Sequence, residues 1–151
     1  MRDIIFIGDG LGVRTLPARM MGLNALGTDI SEWAVQHSYV QDGNYLQDDI
    51  ANTKLIELGE KTKVIVLYDI CEHLTDEQLN KCLNNIVQIS ENFVFSIPFV
   101  GDSNLLLDST HKQFRTKEEW KKLIEEHGIE VTDAPKEWSF AHQILIGHKK
   151  I

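Results

Sequence analysis

Positive charge is scarce in this chain, which sets 15 lysines and arginines against 23 aspartates and glutamates for a formal charge of −8. Such a surface has no general attraction for phosphate backbones or anionic lipid, and the sequence shows no local basic patch, so neither a nucleic acid nor a membrane is an expected partner. Cysteine is nearly absent too. Cys71 and Cys82 stand eleven positions apart with no CxxC, which excludes a disulfide framework and fits a reduced, cytoplasmic protein. Long hydrophobic runs are missing, and the N-terminus passes directly into Ile4, so neither a membrane span nor a leader is expected. Internal repeats, low-complexity tracts and linkers are missing as well. A length of 151 residues suits one domain with a real core, so residues 1–151 are read as a single domain.

What is present is clearest between Ile4 and Ser31. The run Ile4-Ile5-Phe6-Ile7 is too short for a helix and has the β-branched content of a strand buried on both faces of a parallel sheet. Gly8, Gly10 and Gly12 follow at alternate positions, where a tight turn allows a ligand to approach the main chain. Val13 to Met21 is helical in spacing, with Pro17 near the first turn and Gly22 as the stop, and Ala25 to Thr28 reads as a second strand. Asp29 then falls at the carboxyl edge of that strand, where its carboxylate can accept from two ribose hydroxyls. The unit predicts a ligand that carries a nucleoside. A dinucleotide turn wants its third glycine at position 13, which is Val13 here.

Ser31 offers an N-cap for a short helix carrying Trp33, Ala34 and His37, with Trp33 expected in the core. Tyr39 to Tyr45 has no clear period; a weak third strand ends near Leu46 or Gln47, and Asp48-Asp49 after it suits either a binding position or a loop cap. Lys63 to Tyr68 is the clearest buried strand and runs into Asp69-Ile70-Cys71-Glu72-His73-Leu74. On a helical turn, positions 69, 72 and 73 share one face, gathering two carboxylates and an imidazole beyond the strand's carboxyl edge. Thr75 caps the next helix, whose stripe is Leu79, Leu83, Ile86 and Val87, with Cys82 beside it as core. Phe93 to Ile97 is a fifth strand, ended by Pro98. Phe99 to Arg115 reads as a long substrate-facing loop whose Phe99, Leu105, Leu106 and Leu107 form an exposed apolar patch, a reason to expect self-association or a partner. Thr116 and Glu119 make a capping box for a helix with Trp120, Leu123 and Ile124 that stops at Gly128. Ile129 to Thr132 starts a sixth strand, and Phe140 to Gly147 is expected as a seventh at the end of the sheet.

The G-x-G-x-G turn with an acid after the second strand, the D-x-x-E-H-L stretch at positions 69–74 and the H-x-x-F-x-T-x-E-E-W run from His111 to Trp120 together resemble class I S-adenosylmethionine (SAM) dependent methyltransferases, over nearly the whole chain. The resemblance implies a doubly wound, Rossmann-like α/β fold with seven strands, mostly parallel with an antiparallel last strand. It implies SAM as cofactor, held by Gly8, Asp9, Gly10, Gly12, Asp29, Ile30, Asp48, Asp49 and Asp69, with Asp49 favoured for the adenine amino group. It also implies methyl transfer to an oxygen or nitrogen of a small-molecule acceptor, with His73 or His111 as general base. The family usually has an acid where this chain has Phe6, and Asp9 is expected to compensate at the methionine ammonium group. Helices before the first strand that close the site in such enzymes are not found, so a second copy or partner protein is expected to close it, and a partner-dependent or degenerate SAM-binding module is the alternative reading. One group, the small-RNA 2′-O-methyltransferases and their ubiquinone-pathway relatives, holds a divalent ion with an E-x-x-E-H motif; the RNA enzymes add a later histidine. The resemblance to that group implies Asp69, Glu72, His73 and His111 as ligands, a set suited to Mn²⁺, Co²⁺, Fe²⁺ or Zn²⁺ rather than Mg²⁺.

Overall fold

The computed structural model describes residues 1–151. Strand β1 (Arg2–Ile7) is followed by helix α1 (Thr15–Met20), β2 (Ala25–Asp29), α2 (Glu32–Gln36) and β3 (Tyr45–Gln47). Then come β4 (Thr62–Tyr68), α3 (Asp76–Ile89), β5 (Asn92–Ser96), α4 (Ser103–Leu107), α5 (Lys117–Glu126), β6 (Ile129–Asp133) and β7 (Ile144–Lys149). The strands form one sheet in the order β3-β2-β1-β4-β5-β7-β6. The pairings from β3 to β5 are parallel, while β7 runs antiparallel to both β5 and β6. The chain reverses its winding direction between β1 and β4, and this is where open α/β sheets bind ligands at the strands' carboxyl ends.

One face of the sheet carries the main core. Ile5, Ile65, Leu67, Phe93, Phe95 and Leu145 point from the strands into Leu79, Leu83 and Ile86 of α3 and into Trp120 and Ile124 of α5, all fully buried or nearly so. Burying side chains of this size stabilises the fold by roughly 1.5–3 kcal/mol each, an upper estimate for an extended unfolded chain. Both long helices start on reciprocal capping boxes, Thr75 with Gln78 and Thr116 with Glu119. Each box satisfies two N–H groups that the helix itself leaves unbonded. Cys71 and Cys82 are free thiols inside the core.

The opposite face is thinner. Its small cluster of Phe6, Ala18 and Ala25 lies under α1, with Ile4 and Val66 at its margin. Val64, Val94, Ile144 and Ile146 remain only half-buried there. Helices α1 and α2 make their main sheet contacts with β2 and β3, while α3 and α5 pack into the core on the other face, so this side is thinly covered over β4, β5 and β7.

Three expectations are corrected. Trp33 is not core: it is 61% exposed and stacks on His37 at 4.4 Å, because the five-residue helix α2 lies at the end of the sheet and buries only Ala34. The apolar residues after β5 do not form one exposed patch. A short helix, α4, turns Leu105 inward and Phe99 packs in the core, so of the four expected residues Leu106 and Leu107 stay exposed, each 81%. Strand β7 begins at Ile144 rather than Phe140, since Phe140 takes a left-handed conformation and Ala141–Gln143 form a 3-10 turn. It also inserts between β5 and β6 instead of ending the sheet.

Candidate active site

The glycine turn closes β1 by using backbone conformations that side chains disfavour. Gly8, Gly10 and Gly12 have φ of +69°, +58° and +83°. A Cβ on Gly8 would lie 1.9 Å from Ile70 Cδ1, while one on Gly10 would meet nothing within 4 Å. The turn is thus packed on its inner side and open at Gly10, leaving room beside the main chain. Asp29 ties the turn to β2, its Oδ2 accepting from the Gly10 N–H at 2.8 Å and its Oδ1 from the Ser31 N–H at 2.9 Å. Tyr45 adds a third tie, donating from its hydroxyl to the Gly10 carbonyl at 2.7 Å.

A cleft of about 340 Å³ opens beside this turn, bounded by Gly8, Asp29, Ile30, Asp49, Asp69 and Ile70, with Asp48, Ile50 and His73 also on its wall. The carboxylates differ in how free they are. Asp49 accepts from the Ala51 N–H and from Asn52 Nδ2, so it caps the turn that follows β3 while keeping a place on the cleft wall. Asp48 is buried and accepts from Thr53 Oγ1 at 2.6 Å and from the Lys54 N–H at 2.8 Å, which makes it the brace of that loop. Asp9 is a correction. It is 1% exposed, absent from the cleft wall, and accepts from the Arg14 N–H, the Thr15 N–H and Thr15 Oγ1, so its carboxylate holds the start of α1 and does not face a ligand.

Next to the cleft, and sharing Asp69 and His73 with it, is a polar pocket of about 250 Å³ also bounded by Glu72, Asn104, Asp108, His111 and Gln143. Glu72, His73 and His111 each aim one ligand atom into it, all within 4.8 Å of one another. Glu72 is 1% exposed; burial pushes its carboxyl up to about 8, and Oε2 has no hydrogen-bond partner. A buried carboxylate oxygen without a partner is costly unless a cation or a ligand completes it.

The two imidazoles are held with one nitrogen free. His73 Nδ1 lies 2.9 Å from Thr110 Oγ1, which itself donates to Asp108 Oδ1 at 2.6 Å. The Thr110 oxygen therefore accepts from Nδ1–H, leaving Nε2 of His73 with its lone pair, 4.0 Å from Glu72 Oε1. His111 Nδ1 is 2.8 Å from the Leu105 carbonyl, which can only accept, so His111 also carries its lone pair on Nε2. The rings meet edge to face at 4.7 Å. The segment bearing His111 is fastened across the pocket because the Lys112 and Gln113 N–H groups both donate to the Glu72 carbonyl, at 2.7 and 3.1 Å.

Asp69 does not join this group. With φ of +54°, it turns the chain before the 3-10 turn Cys71–His73 and takes a bond from Ser96 Oγ at 3.1 Å, so the shared helical face expected for positions 69, 72 and 73 does not form. Its place is the wall common to cleft and pocket, where burial raises its carboxyl above the usual range. Two residues were not singled out from sequence. Thr110 gives no signal outside its fold, whereas Arg14, a cation just past the glycine turn, lies over the Tyr68 ring at 3.7 Å.

Solved structures of this shape identify the architecture. A SAM-dependent methyltransferase from Archaeoglobus fulgidus superposes with a TM-score of 0.73 at 18% identity, covering 98% of this chain and 86% of that one. The chain has the class I SAM-dependent methyltransferase fold. Methyltransferase structures similar to it include magnesium protoporphyrin IX methyltransferase from Synechocystis with bound SAM, with a TM-score of 0.71, 16% identity, and coverage of 99% of this chain and 70% of that one. A putative methyltransferase of Haloferax volcanii, in complex with a methyltransferase activator, matches at 0.74 and 12% identity, over 99% of this chain and 83% of that one. No family model and no curated protein matches the sequence. No helix of this methyltransferase fold is long and apolar enough to cross a membrane.

Proposed function

We propose that residues 1–151 act as one SAM-dependent methyltransferase domain that methylates an oxygen or nitrogen of a small polar acceptor. The observation that carries this reading is the junction of two cavities: a cleft beside an open glycine turn meets a mainly polar pocket along Asp69 and His73. SAM bound in the cleft supplies an electrophilic methyl group on its sulfonium. Gly8 and Gly10 leave its path along the main chain clear, Asp29 accepts from the ribose hydroxyls, and Asp49 accepts from the adenine amino group, with Ile30 as an apolar wall. Asp29 has both oxygens engaged by N–H groups, yet each keeps a second lone pair for this purpose.

The acceptor belongs in the pocket that Glu72, His73, His111 and Asp108 surround, where proximity and alignment to the cleft supply most of the rate. No lysine or arginine borders it, which disfavours phosphorylated acceptors and favours a neutral or cationic one. Glu72, His73 and His111 fit a divalent cation of the Mn²⁺, Fe²⁺, Co²⁺ or Zn²⁺ type, since they offer two neutral imidazole nitrogens and a carboxylate whose free oxygen is buried. Held by these three residues, a cation of that type would supply Lewis-acid activation of an acceptor hydroxyl. In a metal-free site the same Nε2 lone pairs make His73 or His111 the general base.

Isothermal titration with SAM, followed by transfer of isotope-labelled methyl groups to a panel of hydroxylated and amine metabolites, tests the assignment. Micromolar SAM binding with a labelled product supports it, and a chain that ignores SAM is no methyltransferase. The half-buried sheet face over β4, β5 and β7 favours a second reading, in which turnover needs a protein that closes the site, as the activator-bound Haloferax volcanii neighbour suggests by analogy. Sedimentation at high concentration separates the two, because an isolated, fully active monomer removes the need for a partner.

A further inference from the structure

The methionine tail of SAM carries both an ammonium and a carboxylate, and this deduction rests on the SAM reading above. The cleft wall provides Asp29, Asp48, Asp49 and Asp69 but no lysine or arginine. An ammonium finds partners there; a carboxylate does not, and burying it among acids without a cation is unfavourable. The counter-charge has to come from the rim of the sheet's carboxyl edge.

Arg14 occupies that rim. The pairing of Ile7 with Leu67 sets Gly8 beside Tyr68, and the Arg14 guanidinium lies 3.7 Å above the Tyr68 ring, one residue before Asp69. Its only side-chain hydrogen bond is a long one, from Nη1 to Asp9 Oδ1 at 3.4 Å. The Asp9 carboxylate is already held more tightly by the Thr15 N–H at 2.8 Å and Thr15 Oγ1 at 2.7 Å. Most of the five guanidinium N–H donors are therefore unused on a side chain one-third exposed. Its place over the tyrosine ring restrains the guanidinium, which lowers the ordering cost of a bidentate contact.

We propose that Arg14 is the clamp for the carboxylate of the methionine tail, giving this chain, which has Phe6 where the family's acid usually stands, an anchor on the other charged group of the same tail. The clamp makes the tail, and not only the adenosine, a determinant of cofactor affinity. S-adenosylhomocysteine contains the tail, whereas 5′-methylthioadenosine keeps the adenosine and thioether without it.

Titrating both ligands into the wild type, Arg14→Ala and Arg14→Lys, with a melting curve for each protein, tests the clamp. Arg14→Ala should weaken S-adenosylhomocysteine by about 10-fold or more, the range of a lost charge-assisted contact. Methylthioadenosine affinity should stay as in the wild type, and Arg14→Lys should recover part of the loss by keeping the charge. Equal weakening of both ligands, or of neither, overturns the clamp while leaving the cofactor reading intact; so does a wild type that binds both ligands alike. A wild type that binds neither ligand removes the cofactor reading, and the clamp with it. If Arg14→Ala does not fold, Arg14→Lys and Arg14→Gln carry the comparison, with Gln expected to lose the tail preference and Lys to retain part of it.

Discussion

Thr110 holds His73 from 37 positions away, receiving its Nδ1–H at 2.9 Å while donating its own proton to Asp108. This chain of bonds fixes which nitrogen of His73 faces the polar pocket. Substituting Thr110→Val should remove it at nearly constant volume and loosen the ring. In proteins where a histidine binds metal, losing such a support costs about 10- to 100-fold in affinity. A loss of that order in Mn²⁺ or Co²⁺ binding by Thr110→Val, measured by titration, is expected; unchanged affinity would show that the bond is incidental.

Removing metal gives a second expectation. Chelation to a verified metal-free state should abolish methyl transfer, with Mn²⁺ or Co²⁺ restoring it in the wild type and not in Glu72→Ala. Undiminished turnover in the metal-free protein ends the cation proposal and leaves an imidazole as the base.

Glu72 also makes a prediction about stability. In the metal-free protein its Oε2 is buried without a partner, an arrangement that costs about 1–3 kcal/mol. Glu72→Met, of similar volume, should raise the melting temperature of the metal-free protein even as it destroys the pocket's donor set. A lower melting temperature would mean that the carboxylate is satisfied by ordered water.

Asp29→Ala removes the ribose acceptor together with its hold on the Gly10 and Ser31 N–H groups. SAM affinity should fall by about 2–4 kcal/mol, by analogy with charge-assisted bonds. Titration beside a melting curve separates the two effects: if SAM affinity is unchanged, the carboxylate serves the turn alone.

Gly27 couples packing to the same turn. A Cβ there would lie 2.3 Å from Thr15 Oγ1 and 2.4 Å from the Tyr45 ring. Gly27→Ala should cost about 1–3 kcal/mol as overpacking does, and should displace the tyrosine that ties Gly10. Denaturant unfolding with no shift in midpoint would contradict it.

The sequence by itself determined what local chemistry dictates. Alternating glycines after a β-branched run, an acid after the second strand, and the capping residues Thr75 and Thr116 specify turns, strands and helix starts within a few residues of themselves, and the structure has each of them. Even the pairing of His73 with His111 was legible as two members of one resemblance. Tertiary structure decided which polar groups remain free, because that depends on bonds between distant segments. Asp9 turned inward once Thr15 was folded back onto it, and Asp69 left the donor group when a positive φ and Ser96 drew it to the wall. His111 reached Glu72 because two backbone N–H groups of its own segment found the Glu72 carbonyl. β7 entered between β5 and β6 because strand order follows long-range pairing, about which the period of a single strand carries no information.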